Sequence, residues 1–405
     1  MPFVIYPQSD ALPLVTFEPY PAPANYRIVA GSPKGGSGKT STMIFAATTL
    51  AAMGARVLVV EATEGQAALT HAYHPTSYAT SPDGRSGLGW HLYQGLGLAG
   101  GERDYASAYA RYRGIMDKEA PAALASLGKI RVSPDNDRTL DILPCGEIAL
   151  ERVQSAPAMQ HRNHRRALLT AFLDALAAAH PDGGWDFIFL DTLPAVSNTI
   201  TLAAMGVADS YSVVVDVESS HPLTGWGAIS QELLEISRER EEEGKDPNIF
   251  RGLILNKTGR ASDRSLVERI NRFLIACERK AAADAGFQVD ILAEIPRKLL
   301  LTMLGFNYSS ILTLSKRYGG ALPEDLNTLT DEDVAAMYQF KAGADHDGQT
   351  LEPAAGVAWL CKANPGNRAN YIQQAQELLP LLLSLANDDE AMGAYAQAFA
   401  PFVEV

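Results

Sequence analysis

The chain has 405 residues, 47% of them hydrophobic, which is enough for one large α/β domain with an appendage or for two domains. Its net charge of −13 is uneven: 13 acidic and 3 basic residues fall between Ala321 and Val405, leaving 34 acidic against 31 basic in a nearly neutral body. An acidic total argues against nucleic-acid binding for the tail and much less for the body. The three cysteines, Cys145, Cys277 and Cys361, are far apart and form no C-x-x-C pair, which excludes a disulfide framework, a zinc site or a cluster held within one chain. The first residues carry no basic run of the kind that opens a signal peptide. The longest apolar run near the end, Leu378 to Ala386, is far too short to span a bilayer. The expected setting is therefore cytoplasmic, with no membrane insertion.

Residues 1–25 are punctuated by Pro2, Pro7, Pro13, Pro21 and Pro23 and read as an extended arm, with no room for a folded DNA-reading unit. A short apolar strand from Tyr26 then runs into Lys34-Gly35-Gly36-Ser37-Gly38-Lys39-Thr40-Ser41, and a helix follows from Ser41 to Met53 with Gly54 as its C-cap. This is the layout of a phosphate-binding loop. Small residues let successive backbone N–H groups point at phosphate oxygens, Lys39 reaches the β and γ groups, and the Thr40 hydroxyl suits Mg²⁺, all at a helix N-terminus. The general G-x-x-x-x-G-K-[ST] pattern would place Gly where this chain has Pro33.

Arg56 to Glu61 reads as a buried parallel strand, followed by Ala62-Thr63-Glu64. Residues 67–139 read as irregular, with glycine clusters between Gly84 and Gly101 and one helical stretch from Tyr105 to Arg113. There Tyr105, Tyr109 and Tyr112 make a core-facing stripe. His71, His74 and His91 lack metal-ligand spacing. Thr139 to Gly146 is a strand and turn, Arg165 to His180 a long helix, and Trp185 to Pro194 a hydrophobic strand that delivers Asp191 at its carboxyl end. Further strands are expected over 209–216 and 251–257. The stretch Ser262 to Ala285 reads as an amphipathic helix with Leu266, Ile270, Phe273, Leu274 and Cys277 on one side and Arg269, Arg272, Arg279 and Lys280 on the other. Strands alternating with helices, each strand a nearly continuous apolar run, imply an α/β fold: a doubly wound, mostly parallel sheet with helices on both faces. The site then lies at the carboxyl ends of the strands. The domain reading is an extended Pro-rich arm over 1–25, an α/β domain with the phosphate-binding loop over 26–320 and an acidic, mainly helical C-terminal extension over 321–405.

Lys34-Gly35-Gly36-Ser37-Gly38-Lys39-Thr40 resembles the deviant Walker motif K-G-G-x-G-K-[ST] of the ParA/MinD family of P-loop ATPases. Asp191-Thr-Leu-Pro194 is similar to that family's D-T-P-P, and Leu140 to Pro144 to its L-D-I-I-P segment. The resemblance runs from about residue 26 to 318 and is closest to ParA-type partition ATPases. It implies ATP and Mg²⁺ as ligands, with Lys34 crossing to the nucleotide of a second copy, Thr40 and Asp191 holding the metal, and catalysis by Lys34, Lys39 and a carboxylate. The family places a water-positioning aspartate where this chain has Thr63, so Glu64 is the candidate to replace it and the rate of hydrolysis is in question. By the same resemblance Asn256, with Lys257, faces the base, and Asp290 to Arg297 is the last strand with its loop, Pro296 and Arg297 wrapping the adenine. Basic residues on late helices (Arg269, Arg272, Arg279, Lys280, with Lys298) are the expected contacts for nonspecific DNA. The implied partners are a second copy in an ATP-bound homodimer, nucleoid DNA, and a ParB-like or cargo adaptor protein that stimulates hydrolysis. Two other readings differ in class. A catalytically slow or dead ATP-binding scaffold is favoured by Thr63. A MinD-like membrane-associated positioning ATPase is disfavoured because residues 376–405 contain no lysine or arginine.

Overall fold

The computed structural model describes residues 2–3, 15–16, 25–52, 55–63, 69, 87–97, 104–131, 139–194, 198–216, 226–245, 247, 249–256 and 301–304. Two short strands, β1 (Pro2–Phe3) and β2 (Val15–Thr16), pair antiparallel within the N-terminal segment. The remaining strands are β3 (Tyr26–Gly31), β4 (Val57–Ala62), β5 (Gly128–Arg131), β6 (Thr139–Leu143), β7 (Phe187–Thr192), β8 (Ser210–Asp216), β9 (Phe250–Asn256) and β10 (Leu301–Leu304). They form one eight-stranded sheet in the order β10-β9-β8-β3-β7-β4-β6-β5, parallel throughout except for the antiparallel edge pair β5–β6.

β4 (Val-Leu-Val-Val-Glu-Ala) and β7 (Phe-Ile-Phe-Leu-Asp-Thr) are buried along their whole length, as strands covered on both faces must be. Successive side chains point to opposite faces. Val29, Leu58, Val60, Ile188, Leu190, Val213 and Val215 join one core with the helices α2 (Leu88–Leu96), α3 (Tyr105–Ala125), α4 (Glu147–Ser155), α5 (Arg162–Ala179), α6 (Thr199–Val207) and α7 (Trp226–Glu242). Ile28, Val57, Val59, Phe187 and Phe189 fill the other face, where α1 (Lys39–Ala52) brings Met43, Ile44, Phe45 and Leu50.

The expectation of an irregular segment over 67–139 is corrected. Among its described residues stand two helices and a strand. α3 is a 21-residue helix whose first turn is capped by Asp104, which accepts the Ser107 N–H at 2.9 Å. Its buried face is Ala108, Tyr112, Met116, Ala120 and Ala123, mostly small residues with little hydrophobic contrast. Tyr105 and Tyr109 pack partly buried against the same core, so the tyrosine stripe faces inward as expected. α2 contains glycine because it crosses α4 closely: a Cβ on Gly89 would lie 2.3 Å from the Leu150 backbone nitrogen. The long helix expected from Arg165 starts at Arg162.

α5 and α7 are joined by a half-buried charge network. Arg162 meets Glu232 (3.1 Å) and Glu239 (2.5 Å), and Arg166 meets Glu239 (3.4 Å) and Glu243 (2.6 Å) while its guanidinium lies 4.5 Å from the Tyr105 ring centre. Two turns further along α5, Asp174 accepts from Tyr109 (2.7 Å) and pairs with Arg27 of β3, tying α3, α5 and the first central strand together. The expected strand over 290–297, the helix over 262–285 and the extension over 321–405 lie outside the described residues.

Candidate nucleotide site

The loop between β3 and α1 is built by local chemistry. The Ser32 hydroxyl donates to the Lys34 carbonyl (2.7 Å) and accepts the Lys34 N–H (3.3 Å), closing the first turn. Gly36 and Gly38 sit at φ of 76° and 88°, a backbone region closed to most side chains, which is why this loop needs glycine at both positions. The Gly38 carbonyl then receives both the N–H and the hydroxyl of Thr42 (2.9 Å each), and α1 begins. Lys34, Gly35 and Gly36 are exposed, whereas Ser37 and Lys39 are buried. Ser41 lies in the first turn of α1. Behind the loop, a Cβ on Gly31 would fall 1.9 Å from the Tyr211 hydroxyl oxygen, so glycine there is a matter of space.

Asp191, at the end of β7, is the partner that the fold brings to this loop across 152 residues. Its carboxylate pairs with the Lys39 ammonium through Oδ1 and accepts the Thr40 hydroxyl through Oδ2 at 2.8 Å. Lys39 is 7% exposed and Asp191 1%, so the pair is withdrawn from water. β4 runs beside β7 with Glu61 in register with Asp191 and Ala62 with Thr192. Glu61 is fully buried and accepts the Leu69 N–H at 2.7 Å, which fastens residue 69 to the strand end. Thr63 follows, also buried, and its hydroxyl has no hydrogen-bond partner among the described residues; the same holds for Thr192.

The chain beyond Asp191 is fixed from α6. Asn198 caps that helix by accepting the Ile200 and Thr201 N–H groups (2.9 and 3.0 Å) and donates to Gln154 (2.8 Å), while the Thr201 hydroxyl donates to the Leu193 carbonyl (3.2 Å). Ser32, Asn198 and the Leu69 amide were not singled out from the sequence. An Asn directly before an apolar helical run is the one signal that could have shown Asn198.

Of the residues expected at the site, Lys39, Thr40 and Asp191 come into direct contact. Asn256 ends β9 in register with Asp216 of β8 and Leu304 of β10, on the same edge of the sheet but two strands from β3. Glu64, Lys257, Pro296, Arg297, Arg269, Arg272, Arg279, Lys280 and Lys298 lie outside the described residues. Cys145 is a buried free thiol. His91 is buried against Phe172, its Nδ1 3.2 Å from Glu119 Oε2. Among the described residues no group of three or more His, Cys, Asp or Glu side chains is arranged for a metal, and no helix is long and apolar enough to cross a membrane.

The donors at the loop are hydroxyl and carboxylate oxygens, the set a hard cation such as Mg²⁺ takes, beside a glycine turn at a helix N-terminus that fits a polyphosphate. Fold and loop together define a P-loop nucleotide-binding protein with a doubly wound parallel sheet. The profile of the AAA domain family matches residues 26–243, and the chain belongs to that family. No curated protein sequence matches the chain. Solved structures similar to it include a putative plasmid partition protein from Borrelia burgdorferi bound to AMPPNP, with 15% identity over 79% of this chain and 100% of that one and a TM-score of 0.40. Another is McdA from Cyanothece in complex with ATP, with 18% identity over 73% and 90% and a TM-score of 0.39. A third is cobyrinic acid a,c-diamide synthase from Mycobacterium smegmatis with bound ADP and magnesium, with 18% identity over 73% and 97% and a TM-score of 0.41.

Proposed function

We propose that the protein is an ATP-dependent dimerisation switch of the ParA type, cytoplasmic and nucleoid-associated, which partitions or positions a plasmid, chromosomal or protein cargo on DNA. The observation that carries this reading is the convergence of Lys39, Thr40 and Asp191 behind a loop that also presents the exposed Lys34. Lys39 serves the phosphates of its own nucleotide, Thr40 and Asp191 hold Mg²⁺, and Lys34 reaches the nucleotide of a second copy. Glu64 near the reacting phosphate, Asn256 with Lys257, Pro296 and Arg297 around the base, and Arg269, Arg272, Arg279, Lys280 and Lys298 on nonspecific DNA complete the reading. A ParB-like or cargo adaptor protein stimulates turnover.

Sizing chromatography with a nonhydrolysable ATP analogue tests it. Lys39→Ala loses nucleotide binding, while Lys34→Ala binds nucleotide as a monomer and loses the dimer. A Lys34→Ala protein that dimerises normally overturns the switch.

A slow or inactive scaffold in which ATP only fixes the dimer is the second reading. It is favoured by Thr63, a buried neutral hydroxyl where the resembled family carries a carboxylate. Weak basal hydrolysis, raised by Thr63→Asp, fits the switch; no hydrolysis with or without DNA fits the scaffold.

A further inference from the structure

Pro33, where this loop departs from the general phosphate-loop pattern, sits inside a turn that one side chain closes. The Ser32 hydroxyl donates to the Lys34 carbonyl at 2.7 Å and accepts the Lys34 N–H at 3.3 Å, so both backbone polar groups of Lys34 are held by the residue two before it. Proline between them fixes its own φ and confines Ser32 to extended backbone, which leaves the turn few other shapes. The turn is anchored on its inner side: Ser32 is 4% exposed and follows Gly31, where a Cβ would meet the Tyr211 hydroxyl. Lys34 stands on the outer side, exposed, with Gly35 and Gly36 beyond it. Lys39 is placed by other contacts: α1 begins where the Gly38 carbonyl receives Thr42, and Asp191 holds the ammonium. The two lysines of the loop are thus positioned independently, one by Ser32 and one by α1 and β7.

We propose that Ser32 is a positioning residue for Lys34: its hydroxyl, with Pro33, holds the Lys34 backbone in the orientation from which the ammonium reaches the nucleotide of a second copy. Ser32 then sets the affinity of the ATP-bound dimer and contributes little to nucleotide binding by a single chain. The inference rests on the dimerisation switch proposed above. A lysine on a loose turn would have to be ordered, backbone and side chain, each time two copies meet, and that entropy would be subtracted from the association. The Ser32 bonds and the fixed φ of Pro33 order the backbone before the encounter. A symmetric dimer uses the arrangement twice, once from each copy, so its effect on association is doubled in free energy.

The test compares wild type, Ser32→Ala, Ser32→Thr, Pro33→Gly and Lys34→Ala in three measurements. These are binding of a nonhydrolysable ATP analogue at protein concentrations too low for dimers, sedimentation equilibrium with the analogue and Mg²⁺, and thermal unfolding without nucleotide. Expected for Ser32→Ala is a dimer dissociation constant raised at least about tenfold, with the nucleotide affinity of the single chain changed by less than about twofold. Ser32→Thr, which keeps the hydroxyl on extended backbone, restores the dimer. Pro33→Gly loosens the same turn without touching the hydroxyl and weakens the dimer in the same way; it decides the matter if Ser32→Ala does not fold. Ser32→Ala and Pro33→Gly proteins that dimerise as wild type does, while Lys34→Ala does not, overturn the inference and leave the switch standing. A Ser32→Ala protein that loses nucleotide binding in step with dimerisation shows that the hydroxyl shapes the whole phosphate loop, and this also overturns it. A Lys34→Ala protein that dimerises normally overturns both.

Discussion

Replacing Asp191 by asparagine separates the two things its carboxylate does. The amide is nearly isosteric and still bonds the Thr40 hydroxyl, but it removes the counter-charge of Lys39. With Lys39 7% exposed and Asp191 1% exposed, the ammonium is then left buried and unpaired. Breaking a buried ion pair from one side costs about 3–5 kcal/mol, and each kcal/mol lowers the melting temperature of a domain of this size by about 2–4 °C. Asp191→Asn is therefore expected to melt about 6–20 °C below wild type in the absence of nucleotide. ATP without magnesium supplies the missing negative charge, so it should restore much of that loss. It should also bind the variant more tightly than the wild type, in which the phosphates must first take Lys39 from Asp191. Adding Mg²⁺ should strengthen ATP binding to wild type and have little further effect on the variant. Differential scanning calorimetry and titration calorimetry in EDTA and in excess Mg²⁺ read all of this. A variant that melts with wild type, and binds magnesium-free ATP no better, would refute the role of the Lys39–Asp191 pair.

Three further outcomes are expected. Gly31→Ala drives a Cβ to 1.9 Å from the Tyr211 hydroxyl oxygen and 2.6 Å from its Cζ, so it should destabilise by about 1–3 kcal/mol; Tyr211→Phe should recover part of that in the double variant, measured by urea unfolding. Arg166→Met takes from Glu243 its α5 partner and from Glu239 one of its two, and should cost about 1–3 kcal/mol, whereas Arg238→Met, from an ion pair 58% and 65% exposed, should cost no more than about 0.5 kcal/mol; equal losses would deny the burial a role. Burial holds the His91 imidazole below the usual histidine value, although the Glu119 carboxylate pulls the other way. The unfolded chain then takes up a proton near pH 6.5 that the folded protein takes up only at lower pH, so His91 contributes stability above about pH 6.5 that is lost on acidification, with a slope of at most about 1.4 kcal/mol per pH unit. His91→Leu should flatten the pH 7 to pH 5 stability profile by that amount, and an unchanged profile would contradict it.

The central strands were legible because burial on both faces forces an unbroken apolar run. Tyr26–Gly31, Val57–Ala62 and Phe187–Thr192 each announce themselves within a residue or two of their ends. The helices α2 and α3 were not legible in full for a complementary reason. Where two helices approach closely the seam is lined with glycine and alanine, and these carry no hydrophobic periodicity: Gly89 against Leu150, and Ala108, Ala120 and Ala123 along α3. β5 (Gly-Lys-Ile-Arg) is an edge strand with charged residues, which is how sheet edges avoid further pairing and also why it reads as loop.

At the site, the loop chemistry was readable from residue types and spacing, but the partner of Lys39 was not. Acids close three apolar strands, Asp216 of β8 besides Glu61 of β4 and Asp191 of β7, and of the latter two Glu61 is the nearer to the loop in sequence. The choice between them is made by strand order. β7 inserts between β3 and β4, so α1 must cross β7 to reach β4 on one face while α6 crosses β3 to reach β8 on the other. The two helices leave the ends of adjacent strands toward opposite faces of the sheet, and the acid that meets the loop between them is Asp191. Glu61 is displaced by one strand and spends an oxygen on the Leu69 amide instead. Had β4 paired directly with β3, the same loop would have faced Glu61, so the order of three strands decides which carboxylate meets Lys39.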